Sequence, residues 1–164
     1  MNVRPAAAAD AAALVELAQS VGGEPEGWLI TDGEWRSVGD ERRYLRAIRR
    51  SAHAAVLVAE TDRIVGRLSI SRDPHPASRH VADVGLMVAE DVRRQGVGRA
   101  LMLAAEDWAR ATGVTKIELH VFPYNEAALA LYEELGYRRE GLRLAHYRRG
   151  DEFLDVVLMA KEIL

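Results

Sequence analysis

The chain has 164 residues, 49% of them hydrophobic and 29% charged, a formal net charge of −3 and no cysteine. That length and balance suit one soluble globular domain and exclude a disordered or fibrous chain. The missing thiol excludes disulfides, thiolate metal sites, iron–sulfur clusters and a cysteine nucleophile, and the mild acidity argues against nucleic acid as the main partner.

No apolar run approaches the roughly 18 residues of a membrane span. The start, Met1-Asn2-Val3-Arg4-Pro5, lacks the basic end and apolar middle of a signal peptide. A cytoplasmic protein is therefore expected. With no linker, repeat or compositional break, residues 1–164 read as a single domain.

Along the chain, Asp10 is placed to cap a helix carrying Leu14, Leu17, Ala18 and Val21 at helical spacing, closed by Gly22-Gly23. Residues 22–39 read as a loop with Trp28 and Trp35 embedded in it. Asp40 is the expected cap of a second helix, with Leu45 and Ile48 as a narrow apolar stripe among Arg42, Arg43, Arg46, Arg49 and Arg50. Strands are expected at Ala55–Glu60 and Ile64–Ser71, joined by Thr61-Asp62-Arg63, and at His80–Ala89 after the break Asp73-Pro74-His75-Pro76.

The period then changes. Val97, Leu101, Ala104, Ala105, Trp108 and Thr112 share one face of a long helix ended by Gly113. Thr115–Phe122 alternates as a strand, with Ile117, Leu119 and Val121 on one face and Glu118, His120 and Phe122 on the other. Asn125 can cap a helix to Leu135, closed by Gly136, and Tyr137–Leu164 reads as two strands around Arg149-Gly150-Asp151. The order predicts an α/β or α+β domain with one central mixed sheet.

Three segments carry chemistry. Val84–Val88 feeds Arg93-Arg94-Gln95-Gly96-Val97-Gly98-Arg99, which opens directly into the long helix. Unpaired N–H groups at a helix start, the dipole, two glycines and three arginines suit a phosphate or pyrophosphate; the plainer alternative is a loop of solvated arginines. Arg99-Ala100 is not the Lys-Ser/Thr of a Walker loop, and Leu101 breaks the dinucleotide fingerprint. Gly85, inside an apolar strand, marks either a bulge that parts this strand from Thr115–Phe122 or a small residue under a helix. Asn125 and Tyr132, about two turns apart, share a face, so Tyr132 is either core filler or a proton donor reaching a cleft.

The strand–Arg-x-x-Gly-x-Gly–helix segment, the Asn125…Tyr132…Gly136-Tyr137 segment, their spacing and the terminal Asp155–Lys161 together resemble the GCN5-related N-acetyltransferase (GNAT) superfamily over nearly the whole chain, most weakly at residues 22–55. The resemblance implies a mixed, mostly antiparallel sheet of six or seven strands flanked by about four helices, with a splayed parallel strand pair. It implies acetyl-CoA as acyl donor, no metal, and sometimes a homodimer. Arg93, Arg94, Gln95, Gly96, Val97, Gly98 and Arg99 would surround the pyrophosphate. Leu86, Met87 and Val88 would pair with the pantetheine arm, Asn125 would touch the cofactor, and Tyr132 would be the acid to the departing sulfur.

The reaction would be attack of a neutral amine on a thioester, needing a base for the amine and an acid for the thiolate. His120 lies five residues before Asn125, where some ribosomal-protein acetyltransferases of the superfamily carry a glutamate; an ordinary histidine titrates near 6.5. Glu118 on the same face and Asp83 are the alternative bases, directly or through water, and the N–H of Val88 is a candidate for stabilising the carbonyl oxygen. The absence of cysteine favours direct transfer in a ternary complex.

Glu24, Glu26, Asp32 and Glu34 make the loop acidic, which suits a cationic amine or peptide unless they are simply solvated. The arginines of the second helix could touch RNA but read more simply as a solvated face. Two other readings compete with the transferase: a non-catalytic acyl-CoA-binding sensor of the same fold, and a nucleotide-binding protein using the same helix terminus.

Overall fold

The computed structural model describes residues 1–30 and 34–164. Its strands are β1 (Asn2–Pro5), β2 (Ala54–Glu60), β3 (Ile64–Arg72), β4 (Val81–Val88), β5 (Lys116–Val121), β6 (Arg138–Arg149) and β7 (Glu152–Glu162). Its α-helices among the described residues are α1 (Ala11–Gly22), α2 (Val38–Arg50), α3 (Val97–Thr112) and α4 (Glu126–Glu134). The strands form one seven-stranded sheet in the order β1-β2-β3-β4-β5-β7-β6. Every pairing is antiparallel except β4 with β5, so the expected mixed sheet is present. No helix among the described residues is long and apolar enough to cross a membrane.

The helices cover both faces, and β3 shows how. Gly66 lies under α3: a Cβ there would sit 2.8 Å from Leu101 Cδ1 and 2.9 Å from Val97 Cγ1. The next residue, Arg67, points to the other face and meets Glu41 of α2. Leu14, Leu45, Leu68, Leu101, Ile117 and Met159 are at most 1% exposed, which puts the core on both sides of the central strands.

Several boundaries differ from the sequence reading, each for a local reason. β1 has a single apolar residue other than proline, Val3, so no alternation announces it; it forms because β2 offers it an unpaired edge. Asp10 stands at the N-cap of α1 as expected, but its side chain makes no capping bond to the helix. Its carboxylate takes the Ala7 N–H at 2.7 Å and the Arg4 guanidinium at 2.8 and 3.0 Å, closing the short 3₁₀ turn Ala8–Asp10 ahead of the helix. Ser37, not Asp40, caps α2, its Oγ accepting from the Asp40 N–H at 3.2 Å.

The buried stripe of α3 is rotated from the expected one. Val97, Leu101 and Ala105 are buried as expected, but Met102, Glu106 and Ala109 join them inside while Ala104, Trp108 and Thr112 are only half-buried. Glu106 is tolerated at 2% exposure because Lys161 Nζ reaches it at 2.8 Å and Arg110 at 3.4 Å, with the Tyr137 hydroxyl donating at 3.4 Å. The charge therefore fastens the last strand to α3.

Gly66→Val forces a branched side chain into the α3 contact. It is expected to lower stability by about 1–3 kcal/mol, read as a reduced midpoint in chemical denaturation with unchanged slope.

Candidate active site

β4 and β5 pair only over Val81–Asp83 with Lys116–Glu118. Beyond that point β4 stays on β3 as far as Val88 and β5 stays on β7 as far as Val121, so the two strands part. Gly85 is not a bulge. The β3–β4 register runs unbroken from Arg72↔Ala82 to Gly66↔Val88, and the strands separate because each is held by its outer neighbour. A Cβ on Gly85 would approach Ser69 Oγ to 3.2 Å; the glycine keeps that part of the cleft open.

The gap holds cavities of about 490 and 370 Å³ that share Leu86, Met87, Asn125 and Tyr132 in their walls, sizes typical of small-molecule sites. The Ala89 N–H bonds the Val65 carbonyl of the β3 side. Main-chain groups alternate along an antiparallel strand, so those of Met87 also face β3, and those of Leu86 and Val88 face the gap. Met87 thus contributes its side chain to the cavity walls rather than main-chain bonds across the gap.

The larger cavity reaches the start of α3. Arg93, Arg94, Gly96, Val97, Gly98 and Arg99 line it; Gln95 does not, and its side chain instead donates to the Asp91 carbonyl at 3.4 Å. Gly96 adopts φ +86°, which L side chains rarely take, with nothing within 4 Å of its Cβ position. Gly98 serves a different need: its Cβ would stand 3.0 Å from Leu131 of α4 and 3.5 Å from Leu86, so here glycine permits close packing of α3 against α4. Arg93 is engaged already, donating to Glu24 at 2.5 and 2.6 Å and to the Val88 carbonyl at 2.9 and 3.1 Å. Glu24 thereby ties the α1–α2 loop to this cradle. The Asn125 side chain caps α4, its Oδ1 accepting from the Ala128 N–H at 3.2 Å, as its position in the sequence suggests.

Tyr132 is 7% exposed and lines both cavities. Burial drives its phenol far above the ordinary tyrosine range, so it holds its proton throughout the physiological window. The smaller cavity contains His120, whose Nδ1 lies 2.8 Å from the Tyr147 hydroxyl. Burial, then the Arg143 charge and the neighbouring His146 ring, lower the His120 pKa and favour neutral imidazole. Glu118 shares its face but lies outside both cavity walls, opposite Asp83 across the parallel register. Asp83 is partly open to water, yet the crowded protein around it and then the Glu118 charge push its carboxyl up to about 6.

Sequence reading missed Tyr147 and Arg67, which both line the smaller cavity. Arg67 carried a signal, a lone charge inside the apolar run Ile64–Ile70. Tyr147 carried none, because a bulge at Arg143/Tyr147, with Ala145 at φ 48°, resets which face it joins. Of the acids expected to favour a cation, Glu24 is bonded to Arg93, Glu26 and Glu34 are exposed and line neither cavity, and Asp32 lies outside the described residues.

Residues 20–137 match the model of the Acetyltransferase (GNAT) family. The chain is 34% identical over 102 residues to the L-amino acid N-acetyltransferase AaaT of Escherichia coli, an alignment covering 60% of this chain and 61% of that protein. It is 38% identical over 78 residues to the E. coli [ribosomal protein bS18]-alanine N-acetyltransferase, covering 48% and 53%. The matched regions thus span less than two thirds of these relatives. The crystal structure of an acetyltransferase of GNAT family from Streptococcus pneumoniae superposes with a TM-score of 0.90 at 28% identity, over 99% of both chains.

Because the Asp83 carboxyl is raised from 3.8 to about 6, the folded protein binds more protons than the unfolded chain between those values. Its contribution to stability is therefore full below the lower value and is lost as pH rises through the upper one. Asp83→Asn should melt like the wild type at the acid end of that window and higher above it. The gain should be about 2–4 °C, small because water reaches the group; thermal melts of both proteins across the window check this.

Proposed function

The chain belongs to the Acetyltransferase (GNAT) family, and from that membership we propose that it is an N-acetyltransferase. In this reading it moves the acetyl group of acetyl-CoA to a primary amine by direct attack in a ternary complex. The observation that carries the reading is a pair of adjoining cavities that meet at Tyr132, one running to the open N-terminus of α3 and the other to His120.

The residues present fit a pyrophosphate-bearing thioester. The start of α3 supplies backbone N–H groups and the positive end of a dipole, Gly96 leaves its approach unblocked, and Arg94 and Arg99 stand exposed beside it. The gap-facing groups of Leu86 would pair with the amide-bearing arm, whereas the Val88 carbonyl is already held by Arg93. Acetyl-CoA would supply the acetyl group and depart as a thiol, whose pKa is about 8.5 when unperturbed.

The chain's own residues divide the remaining work. His120 takes the amine proton; its Nδ1 is engaged with Tyr147, which leaves Nε2 for the amine or an intervening water. The Val88 N–H steadies the carbonyl oxygen as it gains charge, and Tyr132 protonates the leaving sulfur. The names of two relatives specify free L-amino acids and the alanine of a ribosomal protein; both support a primary amine as acceptor. We also read residues 1–164 as one such domain, with a homodimer and a cytoplasmic location as parts of the same proposal.

Calorimetric titration with acetyl-CoA, followed by thiol release in the presence of pooled amines, tests the reading. Binding and turnover support it, and binding without turnover across a wide panel would favour an acyl-CoA sensor. Gly96→Val should remain folded, since open space surrounds its Cβ position. Strain at positive φ is expected to weaken acetyl-CoA binding about tenfold. Tyr132→Phe should lower kcat roughly a hundredfold with little change in the KM for acetyl-CoA. A fully active variant with an unaltered pH profile would remove Tyr132 as the acid.

A further inference from the structure

Arg67 stands in the middle of β3 at 5% exposure and forms part of the wall of the smaller cavity. Its one anionic neighbour among the described residues is Glu41, fully buried, and the pair is loose at 3.6 Å. The other oxygen of Glu41, Oε2, accepts from Arg36 at 2.6 Å and from the Trp35 indole N–H at 3.3 Å, while Oε1, the one facing Arg67, has no hydrogen-bond partner among the described residues. Among the described residues Arg67 Nε and Nη2 have no hydrogen-bond partner. Those two nitrogens form the edge of a guanidinium whose N–H bonds run parallel, the edge that grips a carboxylate bidentately.

A buried cation with its fork unfilled is costly unless something completes it, and the local charge leaves room for an anion. Among the described residues Arg36 and Arg67 face the single carboxylate of Glu41, so there the cluster keeps a net positive charge. The acids Glu24, Glu26 and Glu34 do not offset it, for the reasons given above. The remaining wall is largely apolar or aromatic, with Trp28, Leu29, Ile30, Trp35 and Phe122.

We propose that the acceptor is a small amine carrying its own carboxylate, a free amino acid or close analogue rather than a polypeptide terminus, and that Arg67 receives that carboxylate. This rests on the transferase reading above. Arg67 is directly opposite Met87 in the β3–β4 register, so it rises from the sheet beside the strand whose gap-facing groups would hold the acyl arm. His120 stands across the gap on β5, on the same face. An α-amino acid separates its carboxylate and amine by one carbon, so a carboxylate held on the β3 side sets the amine between the acyl arm and His120. The fork is shut off from bulk water in the free protein, and the guanidinium, stacked 5.1 Å from the Trp35 ring centre, turns toward the cavity to engage. The apolar wall then takes the amino acid's side chain.

The test compares free L-amino acids with their carboxamides, short peptides and a polyamine as acceptors, by thiol release from acetyl-CoA. The wild type should use its best free amino acid at least about a hundredfold better, in kcat/KM, than the matching carboxamide. In Arg67→Met that preference should vanish through loss on the free acid, with acetyl-CoA affinity kept, and Arg67→Lys should fall between. Carboxamides or peptides used as well as free acids, or an undiminished preference in Arg67→Met, would overturn the proposal while leaving the transferase reading intact. Failure of the wild type to bind acetyl-CoA would overturn both. If Arg67→Met does not fold, the acid-to-amide ratio of the wild type decides alone.

Discussion

The arrangement turns on a hydrogen-bonding mismatch in the sheet. β4 and β5 are neighbours and parallel, yet only their first three residue pairs match before the strands diverge. Past Asp83 and Glu118 the inward-facing main-chain groups of Leu86 and Val88 have lost their strand partner. A buried peptide group without a partner costs about 1–3 kcal/mol, so the divergence persists only because each strand is anchored elsewhere, β4 by Gly66–Arg72 of β3 and β5, along its whole length, by Val157–Glu162 of β7. The rest of the site follows from that gap. α3 begins where β4 runs out, α4 begins where β5 runs out, and Gly98 lets the two helices close over the opening with Leu131 against the α3 backbone.

The buried charges divide along the same line. Glu106 is enclosed by Lys161, Arg110 and Tyr137, and its carboxylate is provided for by the protein itself. Arg67 and Glu41 are equally buried but incompletely matched, and they lie beside the cavity rather than away from it. Removing one partner of a buried pair is severe because it strands the other charge; here an unfilled fork is already built into the folded state. The Arg93–Glu24 pair does further work, joining the α1–α2 loop to the strand–helix junction. Trp28, which donates to the same Glu24 at 3.2 Å, belongs to the walls of both cavities.

Much of this was legible in the sequence wherever one element carried its own signal. The apolar alternation of Ile117, Leu119 and Val121, the glycine stop at Gly113 and the cap at Asn125 are local features, and they stand where the sequence puts them. The glycine–arginine run before α3 was readable because it joins a strand to a helix start within a few residues. Partnerships across distant segments were not readable. Asp10 looks like a cap until Arg4 and the Ala7 N–H claim its carboxylate. Glu24 looks like a free acid until Arg93 meets it 69 positions away. Tyr147 reaches His120 only because the β6–β7 register slips at Arg143, and no single-strand pattern records a slip between two strands.

The same constraint sets the protonation states. Enclosing a titratable group disfavours its charged form whatever the sign of that charge. For Tyr132 the charged form is phenolate, so burial keeps the phenol protonated. For His120 it is imidazolium, so burial, helped by Arg143 and His146, keeps the ring neutral. Transfer from a thioester to an amine requires those two states together, a neutral base on the amine side and a protonated donor on the thiol side. Enclosure favours both states, alone for Tyr132 and with the Arg143 charge behind it for His120. Asp83 takes the same shift at the cleft's edge, where Glu118 adds to it. The parting of β4 from β5 opens the cavities and places His120 and Tyr132 along them, the neutral base and protonated donor that the proposed transfer would use.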